Sequence, residues 1–133
     1  MLVSGGVWCQ SRGMSNARRF LAGYLDAWRT NDPDTIRGLF TEDAVYLAGA
    51  YQPDPARGID DIIALWGEEA DAPDEWSFDG EVELETADAA VIRGMTTYSR
   101  GPKAGVYDNL WLLRFAADGR ASRFHDWWVQ RRS

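Results

Sequence analysis

The run Gly105–Gln130, GVYDNLWLLRFAADGRASRFHDWWVQ, decides how the fold is read. Two stretches rich in aromatic and branched apolar residues, 105–115 and 121–130, flank the turn residues AADG, which is the pattern of an antiparallel hairpin. Loop length then sets the register. With Ala116 and Ala121 flanking a four-residue loop, Leu113 lies opposite Phe124, Trp111 opposite Asp126 and Asn109 opposite Trp128. All six share one face of the sheet, and a slip of one residue would turn them to the other. Asp126 is the anomaly, a carboxylate set among Phe124, Trp127 and Trp128. A surface strand has no use for so many rings, and an ordinary core has no use for the charge. Parity therefore points Asp126 into an apolar pocket.

Working back along the chain, AAVIRGMTTYSR (89–100) reads as the preceding strand. Gly94 is placed beside Trp111, where a residue without a side chain makes room for an indole. That puts Ile92, Thr96 and Tyr98 on the inner face and Arg93, Met95 and Thr97 outside. Before it, Phe78, Val82 and Leu84 alternate with Asp79, Glu83 and Glu85, giving one dry and one wet face. The connections ETAD, GPKAG and AADG are short, so four consecutive antiparallel strands are predicted.

The N-terminal half has helical period instead. Ser15 or Asn16 caps a helix running to about Thr30, with Phe20, Leu21, Tyr24, Leu25 and Trp28 on one apolar face. Asp32 and Pro33 open a short second helix ending near Phe40. A short strand follows at Ala44–Leu47, then the proline-held loop AYQPDPARG. Asp60 or Asp61 opens a third helix whose buried stripe is Ile59, Ile62, Ile63 and Trp66. It fades into the acidic run EEADAPDE, read most simply as a solvated loop and secondarily as a rim over the pocket mouth. Trp28, Phe40 and Trp66 are expected to plug the space between helices and sheet. Helices followed by a run of strands predict an α+β fold with the helices on one face of a bent sheet.

Composition narrows the functions. At 133 residues the chain is read as an N-terminal extension (residues 1–14) and one domain (residues 15–131). The extension MLVSGGVWCQSRG lacks a secretory signal's charged start and long apolar stretch, and is expected to be poorly ordered unless Trp8 docks. A net charge of −7 argues against nucleic acid and anionic membrane as partners, because both need a positive face. One cysteine, Cys9, permits no internal disulfide, and one histidine with no calcium-loop spacing implies no metal and no cofactor. The expected setting is cytoplasmic.

Four stretches carry a resemblance: YLDAWRTNDPDTIRGLFTEDAVY, RGIDDIIALW, YDNLWLLRF and DGRASRFHDWW. In this order and spacing the chain resembles the nuclear transport factor 2-like superfamily, in particular its SnoaL-like, polyketide cyclase-like branch. The resemblance covers about residues 15 to 130. It implies a cone-shaped, cystatin-like fold, in which a curved antiparallel sheet wraps a long N-terminal helix and leaves a pocket at the wide end. It also implies dimerisation through the outer sheet face, here Met95 and Trp127.

In ketosteroid isomerase, limonene epoxide hydrolase and SnoaL-type cyclases, an inward carboxylate acts as general acid or base. GRASRFHD matches the run leading to the epoxide hydrolase's base, which carries that role to Asp126. The chain departs from that enzyme at RGMTTYSR, which has no Arg-x-Asp pair. Tyr46, Tyr98, Asn109, Trp111, Phe124 and Trp128 are the expected substrate contacts, with Tyr98, Asn109 or Tyr46 as candidate oxyanion donors. His125 has the opposite parity and is expected on the outer face. The functions kept open are an acid–base isomerase, cyclase, dehydratase or hydrolase on an apolar cyclic or carbonyl-bearing molecule, a non-catalytic binding protein, and a dimeric association module.

Overall fold

The computed structural model describes residues 14–132, so all but Met14 of the expected N-terminal extension, Trp8 and Cys9 included, lies outside the described residues. Helix α1 spans Asn16–Thr30, α2 Pro33–Leu39 and α3 Ile59–Glu68. Six strands follow the order of the chain: β1 Phe40–Ala48, β2 Ala56–Arg57, β3 Trp76–Glu85, β4 Ala89–Tyr98, β5 Gly105–Phe115 and β6 Ala121–Gln130. They form one sheet in the order β2-β1-β6-β5-β4-β3.

Local chemistry explains where the helices begin and end. The Ser15 hydroxyl accepts the Arg18 N–H at the start of α1, and Asn31 closes it in the left-handed region at φ 54. Ala17, Phe20, Tyr24 and Ala27 recur at three- and four-residue steps and form its buried stripe. Asp32 caps α2, with Pro33 at the first position. α3 begins one residue before the expected aspartates: Gly58 precedes it without a side-chain cap, and Asp60 and Asp61 sit in the first turn, where the helix dipole favours acids.

The sheet is mixed, which corrects the all-antiparallel expectation. β3 to β6 do form an antiparallel meander, but β1 runs parallel to β6. β1 is also twice the expected length, because Glu42 and Asp43 interrupt its alternation at an irregular register between Phe40 and Val45. β2 forms within the segment read as loop, pairing Ala56 and Arg57 with Tyr46 and Val45.

The β5–β6 pairs are the expected ones, Leu113 facing Phe124, Trp111 facing Asp126 and Asn109 facing Trp128, but Phe115 rather than Ala116 pairs with Ala121, and an irregularity at Ser122 restores the register. Two details of the older strands differ. A bulge between Val82 and Leu84 turns Leu84 to the outside, where it is exposed. Gly94 lies opposite Asn109 rather than Trp111, and the ring it admits is that of Phe78. A Cβ at residue 94 would stand 2.2 Å from Phe78 Cζ. Phe78 in turn stacks on Trp111, with centroids 4.8 Å apart.

The core fills the space between α1, α3 and the inner sheet face. Phe20, Phe40, Trp111 and Phe124 are almost wholly buried there, with Ile36, Ile62 and Ile92. Phe40 and Trp66 plug the interior as expected, whereas Trp28 is only partly buried and stacks face to face on Trp76 at 3.7 Å.

Candidate active site

The inner sheet face, α1 and the end of α3 enclose a cavity of about 550 Å³. The polar groups nearest Asp126 are placed by strand or helix periodicity. Asp126 comes from β6, Asn109 from β5, and Thr96 and Tyr98 from β4, all at inward positions of adjacent strands. Tyr46 reaches in from β1 and Tyr24 from α1.

Three residues form a directed chain. Thr96 Oγ1 donates to Asn109 Oδ1 at 2.7 Å, so the Asn109 amide must present its NH₂ to the opposite side. That NH₂ meets both oxygens of Asp126, at 3.0 and 3.2 Å. Thr96 and Asn109 are largely buried in the cavity wall, which favours these partners over water. Burial disfavours the charged form of Asp126 and raises it from 3.8 to about 6, and the Asn109 bond and the nearby Trp111 indole offset this only in part. The Trp111 N–H closes no hydrogen bond of normal geometry. It favours the Asp126 carboxylate by proximity.

The hydroxyls of Tyr24 and Tyr46 are 2.9 Å apart and buried. One donates to the other, which leaves one O–H proton of the pair free for a further acceptor. Desolvation pushes both phenols up, Tyr24 and Tyr46 alike, and the charge of Asp126 adds to it. They stay protonated, as donors, through the physiological range.

Asp71, in the run read as a solvated loop, instead closes the wall. Its Oδ2 accepts from Trp28 Nε1 at 3.1 Å and from Tyr98 O–H at 3.0 Å, and its Oδ1 meets Lys103 Nζ at 2.8 Å. One carboxylate thus joins α1, β4 and the β4–β5 hairpin. Burial and the neighbouring Asp71 push the Tyr98 phenol up. No sequence signal singled out Asp71 from the other acids of EEADAPDE.

Of the expected contacts, Tyr46, Tyr98, Asn109, Trp111 and Trp128 line the cavity around Asp126. Phe124 does not. It is fully buried beneath the wall, its ring stacked between Tyr46 at 4.9 Å and Tyr24 at 5.2 Å, so it is a core residue that a ligand cannot reach. Trp128 is at the mouth, 44% exposed, beside Gly49. His125 lies on the other side of β6, with its Nε2 2.8 Å from the Gly49 carbonyl and its Nδ1 accepting the Trp127 indole N–H. Those partners require the Nε2–H tautomer.

The outer sheet face bears a wider but more open depression of about 740 Å³ between Met95, Leu110, Trp127 and Val129. It lacks convergent buried polar groups, so the inner cavity is the better-built site for chemistry. Among the described residues, no group of three His, Cys, Asp or Glu side chains is arranged to hold a metal ion. No helix among them is long and apolar enough to cross a membrane.

A curved sheet backed by helices is the cystatin-like, nuclear transport factor 2-like architecture. Residues 21–124 match the model of the SnoaL-like domain, and the chain belongs to that family. No curated protein matches it by sequence. Solved structures share its fold. A nuclear transport factor 2-like protein of unknown function from Burkholderia xenovorans LB400 aligns with TM-score 0.68 at 13% identity, covering 89% of this chain and 86% of that one. A putative SnoaL-like polyketide cyclase from Jannaschia sp. CCS1 gives 0.66 at 16% identity, covering 85% of each. An epoxide hydrolase of M. tuberculosis, similar to limonene epoxide hydrolase, gives 0.64 at 18%, covering 86% of this chain and 79% of that one.

Proposed function

We propose that the chain is an enzyme in which Asp126 moves a proton as general acid and base on a small, largely apolar cyclic or carbonyl-bearing molecule held in the inner cavity. The observation that carries this is the carboxyl itself: desolvated, held at a fixed angle by Asn109, and brought to about 6, where both protonation states are available near neutrality. The free O–H of the Tyr24–Tyr46 pair supplies a donor for an oxygen that gains charge during the reaction. An epoxide hydrolase and a putative polyketide cyclase are among the solved structures that share this fold, so the fold accommodates enzymes. Isomerisation, cyclisation, dehydration and hydrolysis are its variants here.

Asp126→Asn tests the reading, because it preserves shape and removes the transferable proton. Turnover down by ~10² or more with the fold retained is the expected result. Turnover that survives the substitution would end the proposal. Affinity with no turnover in either protein would leave a binding protein in its place.

The outer face supports a second proposal, a homodimer. Leu110, Leu112, Trp127 and Val129 are exposed there, with Met95 beside them, and monomers rarely expose so large an apolar patch. Met95→Lys with Trp127→Glu should halve the mass in light scattering, and an unchanged mass would refute this interface. The single cysteine is compatible with a cytoplasmic setting.

A further inference from the structure

The wall of the cavity has a sign. Its charged side chains are Glu69, Asp71 and Asp126 against one lysine, Lys103, which Asp71 already holds at 2.8 Å. Asp126 has no basic partner among the described residues, and its side-chain oxygens meet only the Asn109 amide. Most of the remaining wall is aromatic, including Tyr24, Tyr46, Trp66, Trp111 and Trp128. Ring faces carry partial negative charge and attract cations. An ammonium already sits in this setting at the mouth, where Lys103 Nζ lies 5.4 Å from the centroid of the Tyr98 ring while bonded to Asp71. A largely desolvated carboxylate in an aromatic enclosure, with no basic side chain against it among the described residues, has the chemistry to receive a cation.

Resting on the reading of this cavity as a small-molecule site, we propose that its ligand is a ring-bearing amine, bound as the ammonium ion between the aromatic wall and Asp126, and that carboxylates, phosphates and sulfates are rejected. Binding then couples to ionisation. A cation beside Asp126 favours the carboxylate, so the ligand expels the proton that burial retains and leaves the group as a base. The titratable groups around it are Tyr24 of α1, Tyr46 of β1, Tyr98 of β4 and Tyr107 of β5, with Glu69, Asp71 and Lys103 at the rim. Burial pushes the phenols of Tyr24, Tyr46 and Tyr98 up, away from the pH at which Asp126 titrates.

Three probes of one shape test this by isothermal titration calorimetry at pH 7.5: 2-naphthylmethylammonium, 2-naphthylmethanol and 2-naphthoate. The ammonium should bind about tenfold or more tighter than the alcohol, with the carboxylate weakest. At pH 6, its binding should release protons, read from buffers of different ionisation heat. Its advantage over the alcohol should shrink to within about threefold at pH 4.5, and equally in Asp126→Asn. An alcohol that binds as tightly as the ammonium overturns the charge proposal and leaves the cavity standing. An ammonium preference unchanged in Asp126→Asn overturns it as well, by placing the cation elsewhere. If none of the three saturates, the small-molecule reading of the cavity falls together with it.

Discussion

Replacing Asp126 by Asn should make the protein more stable at neutral pH while disabling it. An acid raised in the native state binds its proton more tightly there than in the unfolded chain. Between 3.8 and about 6, the native protein therefore holds the extra proton, and stability falls as pH rises through that window. Worked from those two values, ionised Asp126 costs about 3 kcal/mol at pH 7.5 and about 1 kcal/mol at pH 4.5. Those figures are upper limits, because the new amide N–H₂ needs an acceptor where the carboxylate needed none. A net gain of about 1–2 kcal/mol at pH 7.5 is the expectation, or roughly 3–8 °C in Tm for a domain of this size. The assay is urea unfolding of both proteins at pH 7.5 and pH 4.5, compared at equal m-value. The gain should nearly vanish at the lower pH. A variant less stable than the parent at both pH values, or equally stabilised at both, would show that Asp126 is not a desolvated acid.

Thr96→Val removes the donor that orients the Asn109 amide, so Asp126 should titrate at a higher pH, followed by its carboxyl carbon in NMR, at a stability cost of about 1 kcal/mol. Asp71→Ala strands the Trp28 indole and the Tyr98 hydroxyl, and should cost about 1–3 kcal/mol, with faster hydrogen exchange confined to the segment after α3 and the β4–β5 hairpin. Unchanged exchange in both segments would show that the carboxylate does not tie them. Gly94→Ala drives a methyl into the Phe78 ring and should lower stability by about 1–3 kcal/mol in chemical denaturation, and pairing it with Phe78→Leu should recover part of that loss.

The inward pairs of the β5–β6 hairpin were legible because period-two alternation shows which side chains share a face, whereas the irregularity at Ser122 that offsets a shorter loop was not. The parallel pairing of β1 with β6 was not, since nothing local to Phe40–Ala48 names a partner some eighty residues away, and Glu42 and Asp43 hide the strand's alternation. The bulge at Val82 likewise reverses parity without a Gly or Pro to announce it. At the site, inward parity placed Asp126, Asn109, Thr96 and Tyr98 on one wall. It could not separate a lining residue from one beneath it, which is why Phe124 was assigned to the ligand and belongs to the core. Asp71 was hidden for the opposite reason. Its role depends on three donors from distant elements, and its own neighbourhood reads as solvated acid.

The position of β6 between β1 and β5 has a consequence for how the molecule is made. β6 follows both of its neighbours in the chain, so until residues 121–130 are in place, β1 and β5 both offer bare hydrogen-bonding edges. Without β6 the sheet would be split in two rather than trimmed at its rim. The strand that joins the two halves of the sheet is thus the one that also delivers the acid.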